Sequence, residues 1–173
     1  APEDGVLERA ETLNLTGTAT GYTFDGLTFT INDATSANPL NRQISVVPDA
    51  TSVNEGSGVR VVVKLPDGIT TSEEITITLA QGAGSDAGIQ GGDYSYALPV
   101  KIPVGAGETD FMLQAASDNI FEPTEKLELS ASATVFDDPV TATVGVNITD
   151  GSKTPANTLL VVTGPSTVTE GNM

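Results

Sequence analysis

Carboxylates are the side chains with the clearest chemical potential in this sequence. Its 173 residues include 23 Asp and Glu but only 7 Lys and Arg, which gives a net charge of −16. The chain contains no His and no Cys, which excludes zinc and iron–sulfur sites, disulfides, thiol chemistry and His-based catalytic groups. A surplus of carboxylates attracts hard cations, and it makes nucleic acid and anionic membranes poor partners.

Catalysis would have to come from carboxylates alone. Ser, Thr and Tyr are abundant, but no base is present to activate them as nucleophiles. The alternative is a pair of acids, such as Asp93 and Glu122, acting as a glycosidase. Aromatic residues make up only 5% of the chain and Trp is absent, so no aromatic platform for a sugar is expected. We therefore expect that the protein is not an enzyme.

Strands must position these acids, because apolar and polar residues alternate with a period of two and helix signals are almost absent. Alternating stretches occur at 44–47, 59–65, 75–79, 100–104, 111–115, 127–131 and 144–148. Turn-rich segments such as 66–68 and 137–139 separate them. About seven short strands in roughly 105 residues predict an all-β protein with a seven-stranded antiparallel β-sandwich. No apolar run approaches the roughly 18 residues of a membrane span.

Internal repeats divide the chain. The eight residues from Glu8 match those from Glu122, which lie 114 positions later. Two further matches, between 31–33 and 148–150 and between 53–56 and 168–171, have offsets of 117 and 115. The repeats predict the tail of one unit at 1–33, a complete unit at 43–150 and the head of a third at 158–173. We expect a window of a longer repeat protein, with stiff joints at 34–42 and 151–157.

Strand direction predicts which loops share an end of the sandwich, since each connection reverses the chain. The loops at 53–56, 80–97 and 116–125, and the end of the last strand, should lie together at what we call the exit end. Six acids fall there: Glu55, Asp93, Asp118, Glu122, Glu125 and Asp150. Hard divalent cations take six to eight such oxygen ligands, so a calcium site facing the next repeat is one reading. Acidic loops without an ion, as expected at this net charge, are an equal alternative.

Five more acids fall at the opposite end, which we call the entry end: Asp67, Glu73, Glu74, Asp137 and Asp138. We interpret them as solvated turn residues. Two aromatic residues, Tyr94 and Phe121, fall near the exit end. We expect them to be core or loop-anchoring side chains rather than exposed binding aromatics.

Several short blocks occur in a fixed order: 53–56 (VNEG), 92–94 (GDY), 104–109 (VGAGET), 117–127 (SDNIFEPTEKL) and 148–150 (ITD). As a set they resemble a Calx-beta domain over about 43–150. The resemblance implies an immunoglobulin-like sandwich that binds Ca²⁺ at its distal loops. It implies as ligands the carboxylates of Glu55, Asp93, Asp118, Glu122, Glu125 and Asp150, together with the Ile120 carbonyl.

Two departures from the family pattern weaken the implied site. The acidic triplet is reduced to Ser117-Asp118-Asn119, and Asp150 is followed by Gly151 and Ser152 rather than a second acid. Fewer carboxylates imply one or two ions and affinities of about 10⁻⁴ to 10⁻³ M, as in extracellular modules.

The repeats and the resemblance together predict a structural role. We expect a calcium-rigidified tandem repeat in the stalk of a long secreted adhesin or filament on a cell surface, in a bacterium. Its partners would be neighbouring repeats, with host or surface ligands bound by domains outside these residues. The alternative is a calcium-sensing regulatory module, as in the sodium–calcium exchangers for which the family is named.

Overall fold

The alternating pattern forms strands because residues i and i+2 of an extended chain point to the same face. A computed structural model describes residues 3–88, 91–118 and 120–151. In these ranges the chain forms one four-residue α-helix, α1 (Ala34–Ala37), a 3₁₀ helix (Pro39–Arg42) and thirteen strands. The strands are β1 (Val6–Leu7), β2 (Glu11–Leu15), β3 (Leu27–Ile31), β4 (Ser45–Pro48), β5 (Ser52–Asn54), β6 (Gly58–Lys64), β7 (Thr70–Thr71), β8 (Ile75–Gln81), β9 (Tyr94–Tyr96), β10 (Val100–Ile102), β11 (Glu108–Ala115), β12 (Glu125–Val135) and β13 (Asp138–Thr149).

Two sheets form the sandwich predicted over 43–150. One has the order β10-β8-β12-β13-β5 and the other the order β4-β6-β11-β9. Each of the seven predicted strands is present, which confirms the all-β sandwich. Two short strands, β5 and β9, are added at sheet edges, and β5 runs parallel to β13 while the other pairs within these two sheets are antiparallel.

One predicted strand is shorter than its pattern. The alternation of 100–104 continues to Val104, but β10 ends at Ile102 and Val104 is 64% exposed. Pro103 follows directly, and its lack of an N–H removes a donor from the ladder. A turn then begins, in which the Ala106 N–H donates to the Pro103 carbonyl at 3.0 Å.

The core lies between the two sheets and is built from the inward members of each alternation. Val61, Leu113 and Leu127 are completely buried, and Val146 is 1% exposed. Burial of each such side chain contributes about 1.5–3 kcal/mol relative to exposure. The apolar faces therefore hold the strands in register. The strands in turn determine where the loops at both ends of the sandwich begin and end.

The segment before the sandwich forms a two-stranded hairpin, β2–β3, with its apolar residues at the surface. Leu13, Leu15 and Phe29 are 44%, 45% and 47% exposed, so they do not pack into the core of 43–150. The division at 33, 43, 150 and 158 stays a prediction, and residues 158–173 lie outside the described residues. No helix in the described part of the chain is long and apolar enough to cross a membrane.

Candidate metal centre

Backbone hydrogen bonds gather the acidic loops at the exit end. Glu55 directly follows β5, and its N–H donates to the Thr149 carbonyl at 3.0 Å. The Ala116 N–H donates to the Asp93 carbonyl at 2.8 Å, which joins the start of β9 to the loop after β11. The ends of β5, β9, β11 and β13 therefore lie side by side, as strand direction predicts.

Three of the six predicted carboxylates form a tight group. Glu55, Asp118 and Glu122 each offer one carboxylate oxygen, and these oxygens lie within 4.8 Å of one another. Glu55 and Glu122 are half-buried, and Asp118 is exposed. Oε2 of Glu55 is buried and has no hydrogen-bond partner among the described residues. A buried polar atom left unpaired carries its full desolvation cost, so this oxygen is placed to accept a cation.

Two hydrogen bonds shape the loop that carries two of these acids. The Ile120 N–H donates to Oδ1 of Asp118 at 2.8 Å, and the Glu122 N–H donates to Oδ2 of Asp150 at 3.1 Å. The carboxylate of Asp150 thus borders the group and fixes the backbone at Glu122. Whether the Ile120 carbonyl is a ligand stays a prediction.

The pKa values in the group are raised first by burial and then by the neighbouring negative charges. Burial raises the pKa of Glu55, and the charges of Asp150, Asp118 and Glu122 raise it further, against a hydrogen bond with the Gly151 backbone that lowers it. Desolvation likewise raises the pKa of Glu122, and Asp118, Asp93 and Asp150 add to that rise. A divalent cation at this point would stabilise the ionised carboxylates by opposing both causes.

Asp93 and Glu125 border the tight group. The pKa of Glu125 is raised first by burial and then by the charges of Asp93, Glu122, Asp86 and Glu55. Oδ2 of Asp93 accepts a hydrogen bond from the Gly88 N–H. These two acids therefore add negative charge beside Glu55, Asp118 and Glu122.

Asp86 is an exit-end acid that the sequence reasoning missed. Its Oδ1 accepts a hydrogen bond from the Lys126 N–H, and its charge helps raise the pKa of Glu125. The signal was available, because Asp86 lies in the same 80–97 loop as Asp93 and so falls at the same end of the sandwich.

The two exit-end aromatic residues behave differently. Tyr94 is 1% exposed and belongs to the core, as expected. The expectation for Phe121 is wrong, because it is 52% exposed. Asp118 and Glu122 on either side of it turn towards Glu55, which leaves the apolar side chains between them at the surface.

The acids of the entry end have a different environment. Their side chains are accessible to solvent, as expected, and each also pairs with a basic side chain: Asp67 with Lys64 (2.8 Å), Glu73 with Arg9 (2.5 Å), Asp137 with Arg9 (2.8 Å), Glu74 with Lys101 (2.6 Å) and Asp138 with Arg42 (2.7 Å). At the exit end the reverse holds. Within the described ranges no Lys or Arg forms an ion pair with Glu55, Asp93, Asp118, Glu122 or Glu125.

Comparisons with known proteins give likenesses of fold. Neither the protein-family models nor the curated protein sequences match this chain. Among solved structures, it is similar to a crystal structure of CBD12 from CALX1.2 (18% identity, TM-score 0.45, 61% of this chain and 44% of that one). It is also similar to the apo-form Calx CBD1 domain (19% identity, TM-score 0.41, 62% of this chain and 97% of that one).

A third similar structure comes from a different kind of protein. It is from a study of fibronectin binding and biofilm formation by the AAF fimbriae of enteroaggregative Escherichia coli (12% identity, TM-score 0.31, 62% of this chain and 98% of that one). This chain spans less than half the length of the CBD12 structure. The acidic group is described from this chain's own residues.

The donor set decides which ion the group fits. It offers carboxylate oxygens, and the chain has no His or Cys to supply nitrogen or sulfur ligands. Oxygen-only sites on flexible loops suit Ca²⁺, which accepts irregular geometry, better than softer transition metals. The residues present therefore fit a calcium ion.

Proposed function

We propose that the exit end of this sandwich binds Ca²⁺. The observation that carries the proposal is Oε2 of Glu55, which is buried and finds no hydrogen-bond partner in the described ranges. Glu55 also belongs to the group in which carboxylate oxygens of Glu55, Asp118 and Glu122 lie within 4.8 Å of one another. Burial raises the pKa of Glu55 and of Glu122, and the neighbouring carboxylates crowded around them raise it further. A counter-charge from outside the protein relieves that crowding.

Glu55, Asp118 and Glu122 would hold the ion directly. Asp93, Glu125 and Asp150 border them and complete the negative field, and the Ile120 carbonyl would supply a further oxygen. When bound, Ca²⁺ would offset two of the negative charges and link loops that are far apart in sequence. We expect a dissociation constant of about 10⁻⁴ to 10⁻³ M, as in extracellular modules with reduced carboxylate sets.

We further propose that the chain is a non-enzymatic structural repeat in the stalk of a secreted bacterial adhesin or surface filament. Support comes from the sequence offsets of 114 to 117. It also comes from the hairpins, since β2–β3 pairs Leu13 with Phe29 as β12–β13 pairs Leu127 with Val146. Neighbouring repeats are then the partners, and an ion at the exit end stiffens the junction between them.

Calorimetric titration of the full chain with CaCl₂ tests the ion site. Wild-type protein should bind in the stated range, and Glu55→Gln should weaken binding at least tenfold because it removes a charged ligand. Glu74→Gln is the matched control, since it makes the same change at an acid paired with Lys101 at the entry end. Wild-type affinity in Glu55→Gln, or no binding by the wild type, would contradict the proposal.

A further inference from the structure

The loop between Asp118 and Glu122 has a counterpart before the sandwich. An offset of 114 aligns the following pairs: Asp4 with Asp118, Val6 with Ile120, Leu7 with Phe121, and Glu8 with Glu122. The two segments thus carry acids at matching positions with two apolar residues between them. They differ in what covers those apolar residues.

Local hydrogen bonds show that the first halves of the two segments adopt the same turn. The Val6 N–H donates to Oδ1 of Asp4 at 2.9 Å, and the Ile120 N–H donates to Oδ1 of Asp118 at 2.8 Å. In both, an aspartate accepts from the residue two positions later, which is the geometry of an Asx turn.

The second halves are equivalent as well. The Glu8 N–H donates to Oδ2 of Asp33 at 3.1 Å, and the Glu122 N–H donates to Oδ2 of Asp150 at 3.1 Å. Asp33 and Asp150 themselves match at an offset of 117. The two segments therefore share two hydrogen bonds at equivalent positions.

In the first segment the apolar residues pack against the entry end of the sandwich. Strand β1 pairs in parallel with β7, with Val6 opposite Thr70 and Leu7 opposite Thr71. The Ser72 N–H donates to the Leu7 carbonyl at 2.9 Å. Leu7 is completely buried and belongs to the core of the sandwich.

Charged contacts hold this first segment in place. The Arg9 guanidinium contacts Glu73 and Asp137 and lies 5.6 Å from the centre of the Phe136 ring. Asp33 accepts hydrogen bonds from the Thr35 and Ser36 N–H groups and so caps α1 at the same junction. The entry end thus offers hydrogen-bonding and charged partners to the segment that carries Val6 and Leu7.

In the second segment the same positions are exposed. The side chains of Ile120 and Phe121 are 56% and 52% exposed. Two adjacent large apolar residues at the surface, between acids that turn towards Glu55, are in the position that Val6 and Leu7 occupy in the first segment.

We propose that Ile120 and Phe121 form a parallel strand against the entry end of a following sandwich of the same kind, as Val6 and Leu7 do against this one. The partner is a second copy of this unit. The proposal rests on the tandem arrangement of the proposed function but not on its ion. Because Asp118 and Glu122 flank the two residues, calcium at the exit end would favour the conformation that packs.

Disulfide trapping in a two-sandwich chain tests this packing. The full chain is continued after Met173 with a second copy of residues 59–150, which keeps the joint at 151–157 and completes the following unit. Cysteines replace Ile120 and the added copy's Thr70 in a chain that has no other Cys. Facing strand residues lie within the Cα range that a disulfide spans, so we expect rapid oxidation to a single cross-linked species.

The controls separate packing from folding and from ion binding. Val6→Cys with Thr70→Cys in the first sandwich should cross-link in every sample. Phe121→Asp should reduce the Ile120 cross-link at least tenfold, whereas Phe24→Asp, at a side chain 51% exposed outside the joint, should not.

Each oxidation is carried out once in calcium and once in chelator. Absence of the Ile120 cross-link in both, while the Val6 control forms, overturns the proposal, and so does a cross-link that Phe121→Asp leaves unchanged. A cross-link in both solutions supports packing even if calorimetry detects no ion.

Discussion

The two ends of the sandwich carry similar numbers of acids but compensate them differently. At the entry end, Asp67, Glu73, Glu74, Asp137 and Asp138 each contact a Lys or Arg. At the exit end, Glu55, Asp118 and Glu122 face one another. An acidic composition alone therefore does not define a cation site. Within the part of the chain that the structure describes, the candidate site is distinguished because Glu55, Asp118 and Glu122 pair with no Lys or Arg and because an oxygen of Glu55 is buried without a hydrogen-bond partner.

The largest expected effect is a loss of stability when the packing of β1 against the entry end is removed. Leu7→Ala removes a completely buried side chain and should lower the free energy of unfolding by about 2–5 kcal/mol. Urea denaturation measures the change. Leu13→Ala, at a side chain 44% exposed, should cost less than about 0.5 kcal/mol. Equal losses would mean that β1 is not part of the folded unit.

The next largest effect is the stabilisation of the fold by calcium at the exit end. With a dissociation constant of about 10⁻⁴ to 10⁻³ M, 10 mM Ca²⁺ should stabilise the fold by about 1.4–2.7 kcal/mol. Asp118→Asn combined with Glu122→Gln should abolish this gain in thermal and urea unfolding. Asp137→Asn combined with Glu73→Gln makes the same change at the entry end and should preserve it. If calcium stabilises both double variants equally, the ion binds elsewhere.

A smaller effect is expected from Arg9. Arg9→Gln removes two exposed ion pairs and the contact with the Phe136 ring, so the melting temperature should fall by roughly 2–4 °C. High salt screens exposed charges, so the difference from wild type should shrink in 1 M NaCl. A calcium titration should be unaffected, since Arg9 lies at the opposite end from Glu55. A loss of calcium binding would show that the two ends are coupled.

The smallest effect is a pH dependence specific to the exit end. The pKa values of Glu55, Glu122 and Glu125 are raised, first by burial and then by neighbouring charges. The folded chain then binds protons more tightly than the unfolded chain. In chelator, the free energy of unfolding should therefore rise as the pH falls from 7 through these raised values towards the ordinary 4.5.

Urea unfolding at pH 7 and pH 5 measures this rise. The triple variant Glu55→Gln, Glu122→Gln, Glu125→Gln should lose it. At the entry end the sign is opposite, because a hydrogen bond with Lys64 lowers the pKa of Asp67. The contribution of Asp67 to the free energy of unfolding is retained above the ordinary pKa of Asp and is lost only as the pH falls below it. An unchanged rise in the triple variant would place the titrating groups elsewhere.

Much of the fold and the site is predictable from local pattern. The alternation of Val59, Val61 and Val63 identifies a buried strand face, and strand direction is enough to bring Glu55 beside Asp118. Both follow from geometry that every strand shares. Three ion pairs of the entry end, those of Glu73, Asp137 and Asp138, are not predictable in this way. Their partners Arg9 and Arg42 come from residues before the sandwich and reach it only through tertiary packing.

Phe121 shows the limit of residue type as a guide. An aromatic residue between loops is usually anchored in a core, and Tyr94 follows that rule. Phe121 departs from it because Asp118 and Glu122 orient the backbone around it. Its counterpart Leu7 is buried because β1 pairs with β7 of the sandwich that follows it, and residue type alone does not show whether a segment is covered in this way.

The parallel pairing of β5 with β13 determines how the sandwich would respond to a pulling force. Both strands run towards the exit end, with Val53 opposite Ile148. Tension along a stalk draws β5 back through the entry end and β13 forward through the exit end. The ladder between them is then loaded in shear, so that its hydrogen bonds must break together rather than one at a time. A chain in which these strands ran antiparallel would unzip under the same tension.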